Sequence, residues 1–208
     1  MNVLSRAGLA AALLLSLLLA APARAQLASH PSEDDYPARG PGLQRLERRG
    51  IYLGLAGDIG VQLSSGFDAK LGIGGQAKLG FSFNRSLAIY LAGAVHNASY
   101  STPGASFSQQ LILTTVHVRH FIFIDRSGVG VYYDGGIGLG FASPGFGPSG
   151  ATGIGFGYSG GLGVEFPLSR WVSLAPEFYY RGVTSASSDN GFSGSINVLG
   201  LQIGLVYY

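Results

Sequence analysis

Residues 153–166 read GIGFGYSGGLGVEF, with Gly155, Gly157 and Gly160 in the spacing of a dinucleotide-binding turn. Such a turn works between a strand and a helix whose N-terminus holds the pyrophosphate. Here Leu162, Val164 and Phe166 alternate with Gly161, Gly163 and Glu165, and Pro167 follows, which is strand periodicity ending in a breaker. Glu177 stands near the distance of a ribose-binding acid, but no helix opens after the glycines, so they serve a strand. One face of that strand carries Ile154, Phe156, Tyr158, Leu162, Val164 and Phe166. The other carries Gly153, Gly155, Gly157, Ser159, Gly161, Gly163 and Glu165 and is nearly bare.

The same alternation recurs from Ile51 onward, over 51–63, 70–83, 87–96, 109–124, 129–141, 152–166, 171–181 and 195–208. Most of these eight segments exceed the roughly 9–11 residues that a tilted strand needs to cross a bilayer, whereas globular strands average about five or six. Their connections alternate between tight turns, at Asn84-Arg85-Ser86, Asp125 to Gly128 and Pro167 to Arg170, and longer polar loops. Composition points the same way. Only 12% of residues are charged, against about a quarter in a soluble domain, while glycine reaches 34 of 208 and aromatics 12%. Beyond the N-terminal run no stretch approaches the roughly 18 apolar residues of a membrane helix. An all-β, eight-stranded antiparallel up-and-down transmembrane β-barrel reconciles an apolar exterior with the absence of an apolar run.

A soluble sandwich would alternate as well, so the content of the two faces matters. In the first strand Ile51, Leu53, Leu55, Ile59, Val61 and Leu63 oppose Tyr52, Gly54, Ala56, Asp58, Gly60 and Gln62. In the fifth, Val129, Val131, Tyr133, Ile137, Leu139 and Phe141 oppose Gly130, Tyr132, Asp134, Gly136, Gly138 and Gly140. The second face is too small and too uncharged for water and suits a barrel interior. A basic residue on the lipid face costs about 2–4 kcal/mol at the midplane. Asp58, Lys70, Lys78, Asp134, Glu165, Glu177 and Arg181 all take the face opposite the aliphatics, as does Arg119 if Val116 and Val118 face lipid. These eight are expected to form a lumen ionic network, since unpaired buried charge is costly.

Gly136, Gly138, Gly140, Gly153, Gly155, Gly157, Gly161 and Gly163 form a glycine wall on that inner face. It either accommodates bulk such as Tyr52, Tyr90, Arg119, Trp171, Tyr179 and Arg181 or leaves a narrow water-filled space. In the fourth strand Phe121 and Phe123 share parity with Arg119, which a bulge near Arg119 and His120 would repair. Pro176 marks a bulge or weakened pairing in the seventh. Phe81, Phe83, Phe123, Phe166, Trp171, Tyr207 and Tyr208 are expected to make a periplasmic aromatic girdle.

The N-terminus gives the route. Arg6 precedes an apolar run from Ala7 to Ala21 and then Ala23-Arg24-Ala25, the pattern of a secretory signal peptide cleaved before Gln26 and exported through the Sec pathway. Loss of Arg6 and Arg24 leaves 11 basic residues of the original 13, against 11 acidic ones, so nothing recruits nucleic acid. No cysteine is present, which excludes disulfides and thiolate metal sites, and no pattern calls for a metal or a cofactor. Residues 26–49 are polar and aperiodic and read as a flexible periplasmic leader, so the organisation is signal 1–25, leader 26–49 and barrel 50–208.

Residues 50–208, opening IYLGLAGDIGVQL and closing LGLQIGLVYY, resemble the small eight-stranded outer-membrane barrels, the group of OmpX, OmpW and the OmpA membrane domain. The resemblance implies residence in the bacterial outer membrane among its lipids and lipopolysaccharide. It also implies contact with the barrel assembly machinery through a C-terminal aromatic signal, here Tyr207 and Tyr208, although Tyr208 falls on the parity opposite Leu199, Leu201, Ile203, Leu205 and Tyr207. The expected function is non-enzymatic, a structural, adhesive or surface-interaction role through external loops that engage an unidentified ligand. The alternatives are a narrow conduit for small solutes and, less favoured, a lipid A-modifying enzyme. The deacylase barrels carry a His-x-Ser pair that no strand here has. His96 near Ser99 and Ser101 reads as plain rim surface, and His117 with Glu177 as a buried structural pair.

Overall fold

The structure is a computed structural model describing residues 46, 48–64, 68–102, 105–143, 153–187 and 193–208. The stretches expected to be signal peptide and, for the most part, leader lie outside the described residues, as do the tips of the longer connections. Eight strands follow one another: β1 Gly50–Ser64, β2 Lys70–Ser82, β3 Leu87–Thr102, β4 Ala105–Ile124, β5 Gly130–Ser143, β6 Gly153–Pro167, β7 Val172–Ser187 and β8 Ser193–Tyr207. Each pairs antiparallel with its chain neighbour, and β1 pairs with β8 from Leu53↔Tyr207 to Ser64↔Ile196, so the sheet closes into an up-and-down barrel.

Pleating sends alternate residues outward and inward. Ile51, Leu53, Leu55, Ile59, Val61 and Leu63 of β1 are exposed, while Tyr52, Asp58 and Gln62 are buried. In β8 Leu199, Leu201, Ile203, Leu205 and Tyr207 are exposed around a buried Gln202. Apolar outside and polar inside is the reverse of a water-soluble sandwich and matches a barrel solvated by lipid. Phe81, Phe83, Phe123, Phe166, Trp171 and Tyr207 stand outward at the end bearing the short turns. Tyr208 does not join that girdle: it is 3% exposed and turns into the lumen, as its parity dictates. Trp171, in contrast, contributes nothing to the interior.

The strands run 13 to 20 residues, longer than crossing requires, and the excess lies at the outer end. β3 and β4 stay in register through Thr102↔Ala105, so a hairpin stands where a loose loop was expected. Its outward side chains change from Val95 to Asn97, Ser99 and Ser101 on β3, and from Ile112 to Gln110, Ser108 and Ser106 on β4. Apolar alternation stops after Val95 and before Ile112, while backbone pairing continues.

The irregularity in β4 falls between Phe121 and Phe123, not at Arg119 and His120. Arg119 keeps its place opposite Asp134, and the shift waits until Phe121 has packed edge-on against Tyr132, with ring centroids 5.5 Å apart. Ile122 and Phe123 then both face outward. Around Pro176 the β6–β7 ladder omits the rungs at Val164 and Glu165 without changing register, the effect of a residue with no N–H to give. The short turns close on themselves. Asn84 Oδ1 accepts from the amides of Ser86 and Leu87, Asp125 accepts from Ser127 Oγ and the Val129 amide, and Ser169 Oγ accepts from the amides of Trp171 and Val172.

Candidate functional site

The inward residues of neighbouring strands are brought together by register alone. Arg119 of β4 lies directly opposite Asp134 of β5, and Glu177 of β7 opposite Gln202 of β8. Arg119, fully buried, donates from Nη2 to Asp134 Oδ2 at 2.8 Å and to Glu177 Oε2 at 2.9 Å. Lys78 Nζ reaches the same Glu177 oxygen at 3.3 Å. The guanidinium lies 3.6 Å from the ring centroid of Tyr132 and 5.7 Å from those of Tyr52 and Tyr90, so the charge rests in an aromatic cage. Tyr52 stacks on Tyr90 and Tyr90 on His117, at 4.9 and 5.0 Å, forming a column beside it.

A second cluster lies further toward the outer end. Asp58 accepts from Tyr179 Oη at 2.8 Å and from Arg181 Nη1 at 3.2 Å, and its Oδ1 lies 2.8 Å from His96 Nδ1. Gln202 joins the two clusters, accepting from Arg181 at 2.9 Å and donating to Glu177 at 2.6 Å. Beyond it, Leu111, Leu113, Val183, Ile196 and Val198 turn inward and make an apolar layer with Ala94 and Ala142. At the outer end Gln62 donates to Gln109 and Gln109 to Ser64.

Of the eight anticipated network residues, seven lie buried in the lumen with partners of opposite charge. Lys70 is half-buried at the outer end of β2, and no carboxylate among the described residues pairs with it. The missing cation is Arg48, from the segment read as leader: it is 2% exposed and donates from Nε to Glu165 Oε1 at 2.8 Å. Arg48, Lys78, Arg119 and Arg181 thus balance Asp58, Asp134, Glu165 and Glu177 among the described buried groups. An aperiodic stretch offers no face from which Arg48 could have been placed.

His96 also corrects an expectation. It is not rim surface but completely buried, on the face opposite the exposed Ser99 and Ser101, so no histidine–serine pair forms there. Its parity with Tyr90 and Ala92 carried that information. His117 neighbours Asp134, at 3.6 Å, instead of Glu177, and its Nε2 lies 2.8 Å from Thr115 Oγ1.

The glycine wall is in contact with bulk from neighbouring strands. A Cβ on Gly136 would lie 2.3 Å from the His117 ring, on Gly140 2.7 Å from Val183, on Gly161 2.5 Å from Glu177 and on Gly163 2.5 Å from Tyr132. A Cβ on Gly138 would lie 2.1 Å from the Thr114 carbonyl oxygen, and one on Gly157 2.8 Å from the Leu139 backbone and 3.0 Å from Leu113. Gly153 and Gly155 continue the wall opposite Ala142 and Gly140. Glycine is used here because the neighbouring side chains and backbone occupy the space a side chain would take.

No protein-family model matches the sequence, and neither does any curated protein. Among solved structures, Neisserial surface protein A superposes with a TM-score of 0.60 at 18% identity, covering 76% of this chain and 96% of its own. Ail, the attachment invasion locus protein of Yersinia pestis, gives 0.47 at 12% identity over 76% of this chain and 99% of its own. The outer membrane protein OprG of Pseudomonas aeruginosa gives 0.45 at 13% identity over 80% and 98%. The fold is that of the small eight-stranded outer-membrane barrels.

Proposed function

We propose that this chain is an integral protein of the bacterial outer membrane, without enzymatic activity, whose barrel is a sealed, ion-paired support for the surface carried at its outer end. The observation that carries the reading is the lumen. Arg119, with Asp134 and Glu177, blocks its middle, and an apolar layer of Leu111, Leu113, Val183, Ile196 and Val198 lies beyond. Gly136, Gly140, Gly157, Gly161 and Gly163, which might have lined a conduit, each face a lumen side chain: His117, Val183, Leu113, Glu177 and Tyr132 in turn. A solute would have to break charge pairs held in a medium where an unpaired ion costs several kcal/mol.

The outward band of Leu55, Ile73, Leu201 and Ile203, each more than half exposed, suits lipid acyl chains. The serine-bearing outer ends of β3 and β4 then stand in the saccharide layer and beyond, where a structural or adhesive role would be exercised toward an external ligand. In biogenesis the outward face of β8, ending in Tyr207, is the surface offered to the assembly machinery; Tyr208 belongs to the lumen.

The absence of cysteine makes a single introduced thiol diagnostic. Carrying Ser106→Cys, at an exposed position near the outer end of β4, the protein is expected in the outer-membrane fraction with a thiol that reacts with an impermeant maleimide on intact cells. Recovery in the soluble periplasm, or a thiol that reacts only after lysis, would overturn the reading.

A further inference from the structure

The segment ahead of β1 does more than lead into the barrel. Leu46 and Arg48 are each 2% exposed, although neither belongs to a strand. Leu46 packs in the cluster that contains Tyr52, Phe121, Tyr132, Val206 and Tyr208. Arg48 donates from Nε to Glu165 of β6 at 2.8 Å and from Nη2 to the Gly128 carbonyl in the β4–β5 turn at 2.6 Å. Its guanidinium lies 4.6 Å from the Phe121 ring centroid of β4, and its own carbonyl accepts from Ser82 Oγ at the end of β2. One residue outside the sheet therefore touches the short-turn ends of β2, β4 and β6. Gly50, at φ 96°, supplies the left-handed bend by which the chain passes from this position into β1.

Glu165, wholly buried, divides its oxygens between the ends of the barrel chain: Oε1 takes Arg48 and Oε2 takes the hydroxyl of Tyr208 at 2.8 Å. Its other cation, Arg119 Nη1, is 3.8 Å away and its guanidinium serves Asp134 and Glu177. We propose that Leu46 and Arg48 form a stopper that closes the periplasmic mouth of the lumen, latched on Glu165. The mouth is sealed by chain outside the sheet, so it can be unsealed without parting any strand.

Ser173, at the start of β7 and wholly buried, reports the seal. The full chain carrying Ser173→Cys, refolded in detergent micelles, is treated with a small water-soluble maleimide beside the same protein bearing Leu46→Ser, Arg48→Ser and Glu165→Gln. The last change removes the charge that Arg48 would leave unpaired. Folding of each is checked by gel mobility before and after boiling. Labelling is expected to be at least about tenfold faster without the stopper, and equal rates in the two folded proteins would overturn the proposal. Leu46→Cys in the otherwise unaltered chain gives an independent reading. Its thiol is expected to react only on denaturation, and reaction at the denatured rate in the folded protein would place the segment outside the mouth.

Discussion

Arg119 and Asp134 face each other across β4 and β5, and Arg119 Nη2 lies 2.8 Å from Asp134 Oδ2 with both side chains essentially sealed from solvent. The pair shows how a sheet of alternating residues becomes a closed interior. Register places the charges, and burial makes their pairing obligatory.

Replacing Arg119 with alanine leaves Asp134 and Glu177 short of their principal cation. The cost of breaking such a buried pair from one side is about 3–5 kcal/mol. Urea unfolding in lipid vesicles should register a loss of that size, with export unaffected. An unchanged midpoint would remove the network from any part in stability.

Glycines on the two faces should respond oppositely. Gly138→Ala puts a Cβ 2.1 Å from the Thr114 carbonyl oxygen, whereas at Gly93, on the outward face, nothing stands within 4 Å. Gly138→Ala is expected to fold poorly, judged by the fraction whose gel mobility shifts on boiling. Gly93→Ala should fold as the parent does. Equal folding of both would contradict the inward placement of Gly138.

A basic residue on the lipid side tests the solvent assigned to that face. Leu201, 59% exposed at the centre of β8, becomes the worst place for a charge if hydrocarbon surrounds it. Leu201→Arg should cost about 2–4 kcal/mol in vesicle unfolding. Lys70→Ala, at the outer end of β2, should stay within about 0.5 kcal/mol.

Below the membrane, the Ser127 hydroxyl holds the Asp125 carboxyl below its ordinary value, helped by the Val129 amide. A lowered folded-state value means that the contribution to stability is complete above the ordinary carboxylate range and is lost as pH falls through the folded value. The difference between the parent and Asp125→Ala should therefore be constant near neutrality and shrink in acid. A difference that grows in acid would contradict the assignment.

How far the sequence could be read depended on periodicity. Eight strands, their order and the inward charges of Asp58, Lys78, Asp134 and Glu177 follow from a two-residue repeat that register preserves. Tyr208 and His96 are legible in the same way, by parity, although each sits beside the end of an apolar run that obscures its inward face. Arg48 was not legible, since nothing in an aperiodic stretch states that it folds back onto Glu165. Nor was the bulge at Ile122, which follows Phe121's contact with Tyr132 on the adjacent strand and not its neighbours in sequence. The outer ends of β3 and β4, 97–102 and 105–108, escaped because serine alternating with small and aromatic residues carries no clear apolar signal even where the backbone stays paired.

The most direct test of a sealed, ion-paired lumen is the single-channel conductance of the refolded mature chain in a planar bilayer. The account predicts silence, because Arg119 with its two carboxylates and the apolar layer beyond it leave ions no path. Discrete steps, abolished by a bulky residue at Gly155, would contradict it and assign the glycine wall to a conduit.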